Sequence, residues 1–538
     1  MIKQVVFVFF YLCFSLKLSA TPEQTLYLQR FTAYSAWNEQ LPTTPSQDFL
    51  NFIQEKKPLS NKLREKWLYA LASKENWPMY LAYYQPSNDS SLQCYALYAQ
   101  YQENQQAIAI LGAKKQWLTG ESKPPACDKL FLLLFKDRVF DGSLVTQRIA
   151  LALEQRNFSL ASYLLKKYKQ DEPNNDQVLS AIHKNPSSIV KLIHNELQGD
   201  FYTYGLNHML AQNMDRATTL WKTIKQKNIL NEHQQQSFLS SLALYKAIRD
   251  KPDAPAWFAQ VKSAFYSPAL LEWQIRYALK HRQWKRMIPL IQHLSDKDAP
   301  CWQYWLARAE DQTNQHESAQ ARYQTLATMR NYYGFMASMR IKKPFQFQDA
   351  SIPYHRETLR PYDPILNKIK TLYQNKQQLE ASRLVSDFSS ELSQDEKSNV
   401  ATWVGRELDW TGKSVYLSQA PELNNDLTLR FPLAHEGSIR QQARTYHLPE
   451  ALIYAVIRQE SAFREEVVSG AGAHGLMQLM PNTAKLVAQQ HKIAYTDKKQ
   501  LFVTQKNIHL GTAYLHQLGN RFGQHPLLMA AAYNAGPR

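Results

Sequence analysis

Apolar and polar positions alternate at helical spacing along most of the chain, in short stretches that come in pairs. In one pair, apolar residues recur across positions 302–309 and a polar break follows at 311–315. Ala319, Tyr323 and Leu326 then resume the helical pattern. Similar pairs recur upstream at irregular spacing, which is typical of an α-solenoid rather than of a regular repeat array. The pattern therefore predicts an all-α protein built from stacked helix pairs.

Two prolines, Pro361 and Pro364, interrupt this pattern, and shorter helical stretches follow them. We therefore predict an α-helical superhelical domain at residues 21–360, a helical linker domain at 361–430 and a third domain at 431–538. The third domain is richer in glycine than the rest of the chain. Glycine permits tight turns and close backbone approach, so this composition is typical of a domain that carries a binding or catalytic site.

The first twenty residues predict a secretion signal. Lys3 precedes an apolar run at residues 5–16, and Leu18-Ser19-Ala20 is typical of a cleavage site. The apolar run is too short for an ordinary membrane-spanning helix. We therefore predict an exported protein whose signal peptide, residues 1–20, is removed, with an uncleaved membrane anchor as the alternative.

The formal charge of the chain is +17 at pH 7. A positive excess on an exported protein suits an anionic polymer such as peptidoglycan. No nucleic-acid-binding module is recognisable, and export also argues against a nucleic-acid partner.

Three cysteines remain after removal of the signal: Cys94, Cys127 and Cys301. In an oxidising compartment this number predicts one disulfide and one spare thiol, and the spacing alone leaves the pairing open. Cys301 lies beside an apolar stripe, which favours a small buried hydrophobic side chain.

One acid lies among apolar residues near the start of the third domain. Ile453, Ile457 and Glu460 share one face of a predicted helix. A carboxyl group aligned with a core stripe is partly removed from water, which raises its pKa and lets it donate a proton near neutral pH. The alternative is a glutamate at the edge of the core, paired with Arg458 or Arg464.

The segment 470–475 matches the G-x-G-x-x-G dinucleotide fingerprint letter for letter. That fingerprint requires a preceding buried strand, and the sequence predicts a helix there instead. We therefore interpret these glycines as a tight turn that lets the backbone approach a ligand. We predict no cofactor and no metal, since no metal-ligand spacing is present.

Three motifs follow one another in the third domain: Glu460-Ser461, Gly475-Leu476-Met477-Gln478 and Ala-Tyr-Asn-Ala-Gly-Pro at residues 532–537. Together they resemble the motif set of the lytic transglycosylases with a lysozyme-like catalytic domain, in particular the large soluble murein type. Three upstream segments are similar to the helical N-terminal region of that family: Trp117-Leu118-Thr119-Gly120, Ala126-Cys127-Asp128-Lys129-Leu130 and Tyr332-Tyr333-Gly334-Phe335.

The resemblance implies a periplasmic lyase active in cell-wall turnover, whose superhelical domain can close into a ring. The implied reaction cleaves the MurNAc–GlcNAc β-1,4 bond of peptidoglycan and leaves a 1,6-anhydroMurNAc end. The resemblance also implies a disulfide between Cys94 and Cys127. It further implies a monomer that binds glycan strands, with envelope proteins as further partners and no integral membrane segment after processing.

The resemblance implies that Glu460 acts first as the acid and then as the base, with Tyr533 orienting it through a hydrogen bond. Further residues are implied to line the sugar subsites: Ser469, Gln478, Met480 and Asn534. No other acid of the third domain is a convincing second carboxylate, so the residues favour a single-acid mechanism assisted by the acetamido group of the substrate. A lysozyme-type hydrolase that uses Asp497 is the enzymatic alternative.

The chain ends at Arg538, directly after the Ala-Tyr-Asn-Ala-Gly-Pro motif, where members of the family continue. We therefore expect an incomplete catalytic domain. This expectation leaves a third hypothesis, a solenoid that binds peptidoglycan without cleaving it.

Overall fold

A computed structural model of the protein describes residues 20–168, 175–192 and 196–537. The predicted signal peptide lies outside these residues, apart from Ala20. Throughout the described ranges the chain forms helices joined by turns, with two isolated β-bridges, so the all-α prediction is confirmed. None of the helices within those ranges combines the length and the apolar character needed to cross a bilayer.

The helices that precede residue 348 are, in chain order, α1 (Pro22–Glu39), α2 (Gln47–Gln54), α3 (Pro58–Ser73), α4 (Trp77–Tyr83), α5 (Ser90–Gln102), α6 (Gln106–Trp117), α7 (Ala126–Lys136), α8 (Gly142–Glu154), α9 (Phe158–Tyr168), α10 (Asn175–Lys184), α11 (Gln198–Gln212), α12 (Met214–Gln226), α13 (Glu232–Ile248), α14 (Ala254–Phe258), α15 (Pro268–Lys280), α16 (Trp284–Gln292), α17 (Pro300–Asp311), α18 (His316–Leu326) and α19 (Tyr332–Arg340).

The later helices are α20 (Asp363–Gln374), α21 (Gln378–Ser389), α22 (Gln394–Glu407), α23 (Thr411–Leu417), α24 (Leu427–Arg430), α25 (Glu436–Tyr446), α26 (Glu450–Glu460), α27 (Pro481–Gln490), α28 (Thr504–Arg521) and α29 (Pro526–Ala535). Short 3₁₀ helices lie at Pro186–Lys191, Ser263–Phe265, Arg356–Tyr362, Pro421–Leu423 and Lys498–Phe502.

The chain divides into two compact units. One unit is Arg64–Phe347, and the other combines Met1–Leu63 with Gln348–Arg538. The domain boundaries predicted at residues 20, 360 and 430 stay a prediction.

In the Arg64–Phe347 unit, α17 and α18 form the helix pair predicted from the sequence. α17 ends at Asp311, and Asn314 turns the chain with a left-handed backbone (φ 65°) before α18 begins. Ala319, Tyr323 and Leu326 are all buried on the inner face of α18. The apolar positions at helical spacing therefore mark the packed face of this pair.

A disulfide joins α5 to α7 in the same unit, and this confirms the predicted pairing. Cys94 and Cys127 are both fully buried, with an S–S distance of 1.99 Å across a sequence separation of 33 residues. Cys301 is the free cysteine of the described residues and is partly buried at the start of α17.

We expect that replacing both Cys94 and Cys127 by alanine lowers the free energy of unfolding of this unit by about 3–4 kcal/mol, because the unfolded chain regains the entropy of the open loop. Urea unfolding followed by hydrogen exchange of the α5 and α7 amides measures this change. Cys301→Ala is the matched control and should cost less. Equal unfolding of the double variant and the parent would contradict a structural role for the bond.

In the second unit, α1 packs against helices more than three hundred residues away in sequence. The Tyr34 hydroxyl donates to the Asp387 carboxylate at 3.0 Å, and the Arg30 guanidinium pairs with Glu391 at 3.0 Å. The Tyr27 hydroxyl donates to the main-chain carbonyl of Phe388. The first helix of the chain is therefore part of the core that holds α21 and α22.

Candidate active site

Glu460 is the last residue of α26. Ile453 and Ile457 on the same helix face are fully buried, as predicted from their spacing. Glu460 itself is half-buried, and this burial raises the pKa of its carboxyl group. The site therefore favours the protonated form of the acid, which is the form that donates.

The two arginines considered as partners of Glu460 bind elsewhere. Arg458 Nε donates to the carbonyl oxygen of Arg430 at 2.9 Å, and Arg464 Nε donates to that of Ser461 at 2.9 Å. Across the part of the chain that the structure describes, the Glu460 carboxyl group makes no hydrogen bond and no ion pair. The structure therefore does not support the prediction of a salt-bridged glutamate at the core edge.

The turn after Glu460 has an unusual backbone. Ala462 and Phe463 both adopt left-handed conformations, with φ of 50° and 63°, which cost free energy for residues that carry a Cβ. The Phe463 ring is buried in the core of the domain. This turn ends α26 at the acid and directs the chain away from it.

Helix α23 packs against this turn. A Cβ atom added to Gly412 would lie 2.8 Å from Arg464 Cγ and 3.0 Å from the Phe463 carbonyl oxygen. Val415, one turn later, is fully buried in the same core cluster as Phe463 and Ile457. Helix α23 therefore supports the segment that follows the acid.

The glycine-rich segment folds as a compact turn with two short antiparallel bridges. The Gly475 amide donates to the Val467 carbonyl at 2.9 Å, while His474 and Leu479 exchange backbone hydrogen bonds of 3.0 and 3.1 Å. Gly475 has φ of 74°, and a Cβ there would lie 2.1 Å from the Leu501 carbonyl oxygen. Only glycine fits this position, and the turn is not followed by the βαβ unit of a dinucleotide site.

Asn507, near the start of α28, holds this turn in place. Its side chain is fully buried, and its Oδ1 accepts from the Met477 amide at 2.8 Å. Its Nδ2 donates to the carbonyl oxygens of His474 at 3.0 Å and Leu501 at 2.8 Å. Asn507 was not among the predicted site residues, although it lies in helical register with the buried Leu510, and a polar residue on an apolar face is a signal that could have found it.

Tyr533, in α29, lies close enough to Glu460 for the carboxylate charge to affect it. Burial, and then the charge of Glu460, raise the pKa of the Tyr533 phenol well above its usual value. The phenol hydroxyl donates to the Met477 carbonyl oxygen at 2.7 Å. The predicted hydrogen bond from Tyr533 to Glu460 is therefore absent, because this donor is used to attach α29 to the turn. The catalytic role of Tyr533 stays a prediction.

Two of the predicted sugar-binding side chains are used by the turn itself. Ser469 Oγ accepts from the Ala473 amide at 3.0 Å. Gln478 Nε2 donates to the carbonyl oxygens of Val467 at 3.1 Å and Gly475 at 2.9 Å, so it faces its own turn. This differs from the expectation that the Gln478 amide lines a sugar subsite, because both carbonyl oxygens that it contacts belong to the turn.

The other two predicted sugar-binding residues, Met480 and Asn534, are exposed. Met480 directly follows the turn and Asn534 directly follows Tyr533 in α29, so both remain available to a ligand. The substrate-binding roles of all four residues stay predictions.

Four of the five other acids of this region have their own partners, and the fifth, Glu466, is exposed to solvent. Asp497 caps the 3₁₀ helix that follows it and accepts from the Lys499 amide at 2.7 Å. Glu465 accepts from the Thr504 hydroxyl at 3.0 Å and lies 3.3 Å from His435. Glu436 and Glu450 both pair with Arg440. These contacts favour Glu460 as the acid that is free to act on a ligand.

The raised pKa of Glu460 predicts a pH-dependent stability difference. The folded state holds the proton more tightly than the unfolded chain does, so the stability that this group contributes at low pH is lost as the pH rises through its raised pKa. Glutamine has no proton to release, so Glu460→Gln removes this loss of stability at high pH. We expect thermal unfolding at about pH 8 to show a higher Tm for the variant than for the wild type, with the difference shrinking towards about pH 4. The exposed Glu466→Gln is the control, and an equal Tm at pH 8 would contradict a desolvated Glu460.

Residues 437–538 match the family model described as Transglycosylase SLT domain. Over 95% of its length the chain is 27% identical to the soluble lytic murein transglycosylase of Escherichia coli (strain K12), and the match covers 81% of that protein.

Solved structures show the same relationship. The lytic transglycosylase Slt of Pseudomonas aeruginosa, solved as an inactive mutant, superposes with a TM-score of 0.76 at 27% identity, covering 96% of this chain and 85% of that one. The 70 kDa soluble lytic transglycosylase of Escherichia coli superposes with a TM-score of 0.68 at 25% identity, covering 95% and 84%. The chain is therefore a homologue of the soluble lytic murein transglycosylases, and residues 437–538 are its Transglycosylase SLT domain.

Proposed function

We propose that this protein is a lytic transglycosylase of the periplasm that cleaves the MurNAc–GlcNAc β-1,4 bond of murein, with Glu460 as its catalytic acid. One observation carries the proposal: within an SLT domain, Glu460 ends a buried helix face, has no partner among the described residues and has a raised pKa. A carboxyl group in that environment is suited to donate a proton to a glycosidic oxygen.

The reaction proceeds through a single carboxyl group. Protonated Glu460 gives its proton to the bridging oxygen as the C1–O bond of the MurNAc unit breaks, and the leaving GlcNAc takes that oxygen as a hydroxyl. The acetamido group of the substrate stabilises the positive charge at C1. Ionised Glu460 then removes the proton from the muramic acid O6 hydroxyl, whose oxygen bonds to C1 and closes the 1,6-anhydro ring. No water molecule is consumed, and Glu460 ends protonated again.

The partners of the other acids support this single-acid route over a hydrolase. Asp497, the alternative second acid, uses its carboxylate to cap a helix. A retaining or inverting hydrolase needs a second carboxylate placed across the bond from the acid. Glu465, the acid nearest in sequence on the far side of the turn, is held by Thr504 and His435.

Tyr533 acts as a positioning residue in this proposal. It attaches the Ala-Tyr-Asn-Ala-Gly-Pro segment to the carbonyl of Met477 and keeps its phenol close to Glu460. The phenol is part of the low-dielectric surroundings whose effect is to raise the pKa of the Glu460 carboxyl group. The positive charge of the chain suits murein, whose peptides and lactyl groups carry carboxylates.

Mass spectrometry of the products from purified sacculi tests the reaction type. We expect muropeptides that are lighter by one water than the products of lysozyme digestion of the same sacculi and that have no reducing end. Products with reducing ends would instead identify a hydrolase. If the wild type and Glu460→Gln both bind sacculi and release nothing, the protein is a murein-binding solenoid.

A further inference from the structure

A cleft of about 270 Å³ opens among α8, α11 and α13 of the Arg64–Phe347 unit, whereas Glu460 belongs to the other compact unit. Three leucines form a wall of this cleft, which we call the leucine wall: Leu118, Leu151 and Leu153. Polar and charged residues complete the lining. The volume lies below the range of sites for drug-sized ligands, so it suits a single side chain.

Asp200 is the acid of this lining that has no ionic partner. It lies in the first turn of α11 and is partly buried. Its Oδ1 accepts a hydrogen bond from Gln234 Nε2 at 3.0 Å. Within the described ranges the carboxylate forms no ion pair, and Oδ2 accepts no hydrogen bond. A carboxylate that is removed from water costs free energy unless a cation compensates it.

Gln234 fixes the direction of this carboxylate. Its Oε1 accepts from the Asn231 amide at 3.1 Å, and the Asn231 side chain accepts in return from the Gln234 amide at 2.9 Å, which is the capping box of α13. The box holds the Gln234 side chain, whose Nε2 is then directed at Asp200 Oδ1. Asp200 Oδ2 therefore stays available to a ligand in the cleft that both residues line.

The rest of the lining supplies little positive charge. Among the described residues that line the cleft, none is lysine or arginine. Glu154 lies 3.1 Å from His233, and both side chains are exposed at the rim. Burial raises the pKa of Asp200 against the hydrogen bond from Gln234, and the charge of Glu154 raises it further. Two helices end at the cleft and two begin there, so the partial charges of their termini oppose one another.

One free carboxylate oxygen beside an apolar wall favours one kind of cation. A guanidinium forms two parallel hydrogen bonds with a carboxylate, but Gln234 already occupies Asp200 Oδ1. A lysine ammonium is a point charge that needs a single acceptor, and its methylenes can be buried on apolar surface. A metal ion would need several ligands, and the described residues contain no group of three or more side chains able to hold one.

We propose that this cleft binds a lysine side chain of a partner protein. The ammonium donates to Asp200 Oδ2, and the methylenes pack against the leucine wall. Glu154 at the rim attracts the same charge during the approach. The site gives the Arg64–Phe347 unit a binding function of its own, which does not depend on the reaction at Glu460.

Two small probes test this proposal with the full chain, titrated by NMR or calorimetry. One is the methylamide of acetyl-lysine, and the other is the methylamide of acetyl-ε-hydroxynorleucine, which has the same chain length and ends in a neutral hydroxyl. We expect the lysine probe to bind at least about tenfold more tightly, because it alone carries a charge that compensates Asp200. Equal affinities, or no binding of either probe, would overturn the proposal. Neither probe contains a glycosidic bond, so the result is independent of the product analysis.

Asp200→Asn separates a binding role from a structural one. We expect it to weaken binding of the lysine probe at least about tenfold and to leave binding of the hydroxyl probe unchanged. Without a probe the Tm at neutral pH should be unchanged or higher, because the raised pKa means that the ionised acid costs stability in the folded state. Asp215→Asn is the matched control, since Asp215 is exposed in the first turn of the next helix, α12. A lower Tm of Asp200→Asn with unchanged affinity for the lysine probe would identify a structural residue and overturn the proposal.

Discussion

Glu460→Gln is expected to lower murein cleavage by about 10²- to 10⁴-fold, the usual contribution of a general acid. Glutamine keeps the shape of the side chain but has no proton to transfer at neutral pH. Release of soluble muropeptides from purified sacculi measures the rate. The fold should be retained, because Glu460 makes no hydrogen bond or ion pair with the rest of the described chain.

Glu450→Gln is the matched control for this prediction. Glu450 lies at the first turn of the same helix, is partly exposed and pairs with Arg440. This substitution should leave cleavage close to the wild-type rate. If both variants cleave murein as fast as the wild type, Glu460 is not the acid.

Asn507→Ala is expected to destabilise the SLT domain by about 3–5 kcal/mol. Three buried backbone groups lose their partner, and each costs about 1–3 kcal/mol without full additivity. The side chains of Asn507 and Tyr533 both form hydrogen bonds with the backbone of Met477. Because the loss of Asn507 would loosen the turn to which Tyr533 is attached, we also expect a fall in murein cleavage. Urea unfolding and hydrogen exchange at the Met477 amide measure the effect on stability.

Asn520→Ala is the control for this second prediction, because Asn520 is exposed on the same helix and donates to His516. It should change stability by less than about 0.5 kcal/mol. An equally small change for Asn507→Ala would show that the turn keeps its shape without that side chain.

The position of Glu460 follows from sequence because it depends on local periodicity. Ile453, Ile457 and Glu460 are three and four residues apart, and this spacing alone places them on one face of α26. The helix pair α17–α18 follows for the same reason. The pairing of Cys94 with Cys127 required the family resemblance, since spacing alone leaves three pairings open.

The contacts that the sequence did not predict are long-range. Tyr533 lies 56 residues from Met477 in sequence, and Asn507 lies 30 residues from it. The family resemblance implied that Tyr533 hydrogen-bonds to Glu460, and no periodicity in the sequence indicates that its phenol reaches the Met477 carbonyl oxygen instead. Likewise, the packing of α1 against Asp387 and Glu391 depends on contacts across more than three hundred and fifty residues. A helical pattern identifies the apolar face of a helix, but it does not identify the other helix against which that face packs.

Val415 has a consequence for how this protein can be divided. It lies upstream of residues 437–538 and is nevertheless buried in the same core as Ile457 and Phe463. A fragment that begins at residue 437 would lack Val415 and would leave an apolar cavity at the end of α26 that carries Glu460. We therefore expect a fragment that starts at Thr411 to hold the end of α26 more firmly than a fragment that starts at residue 437.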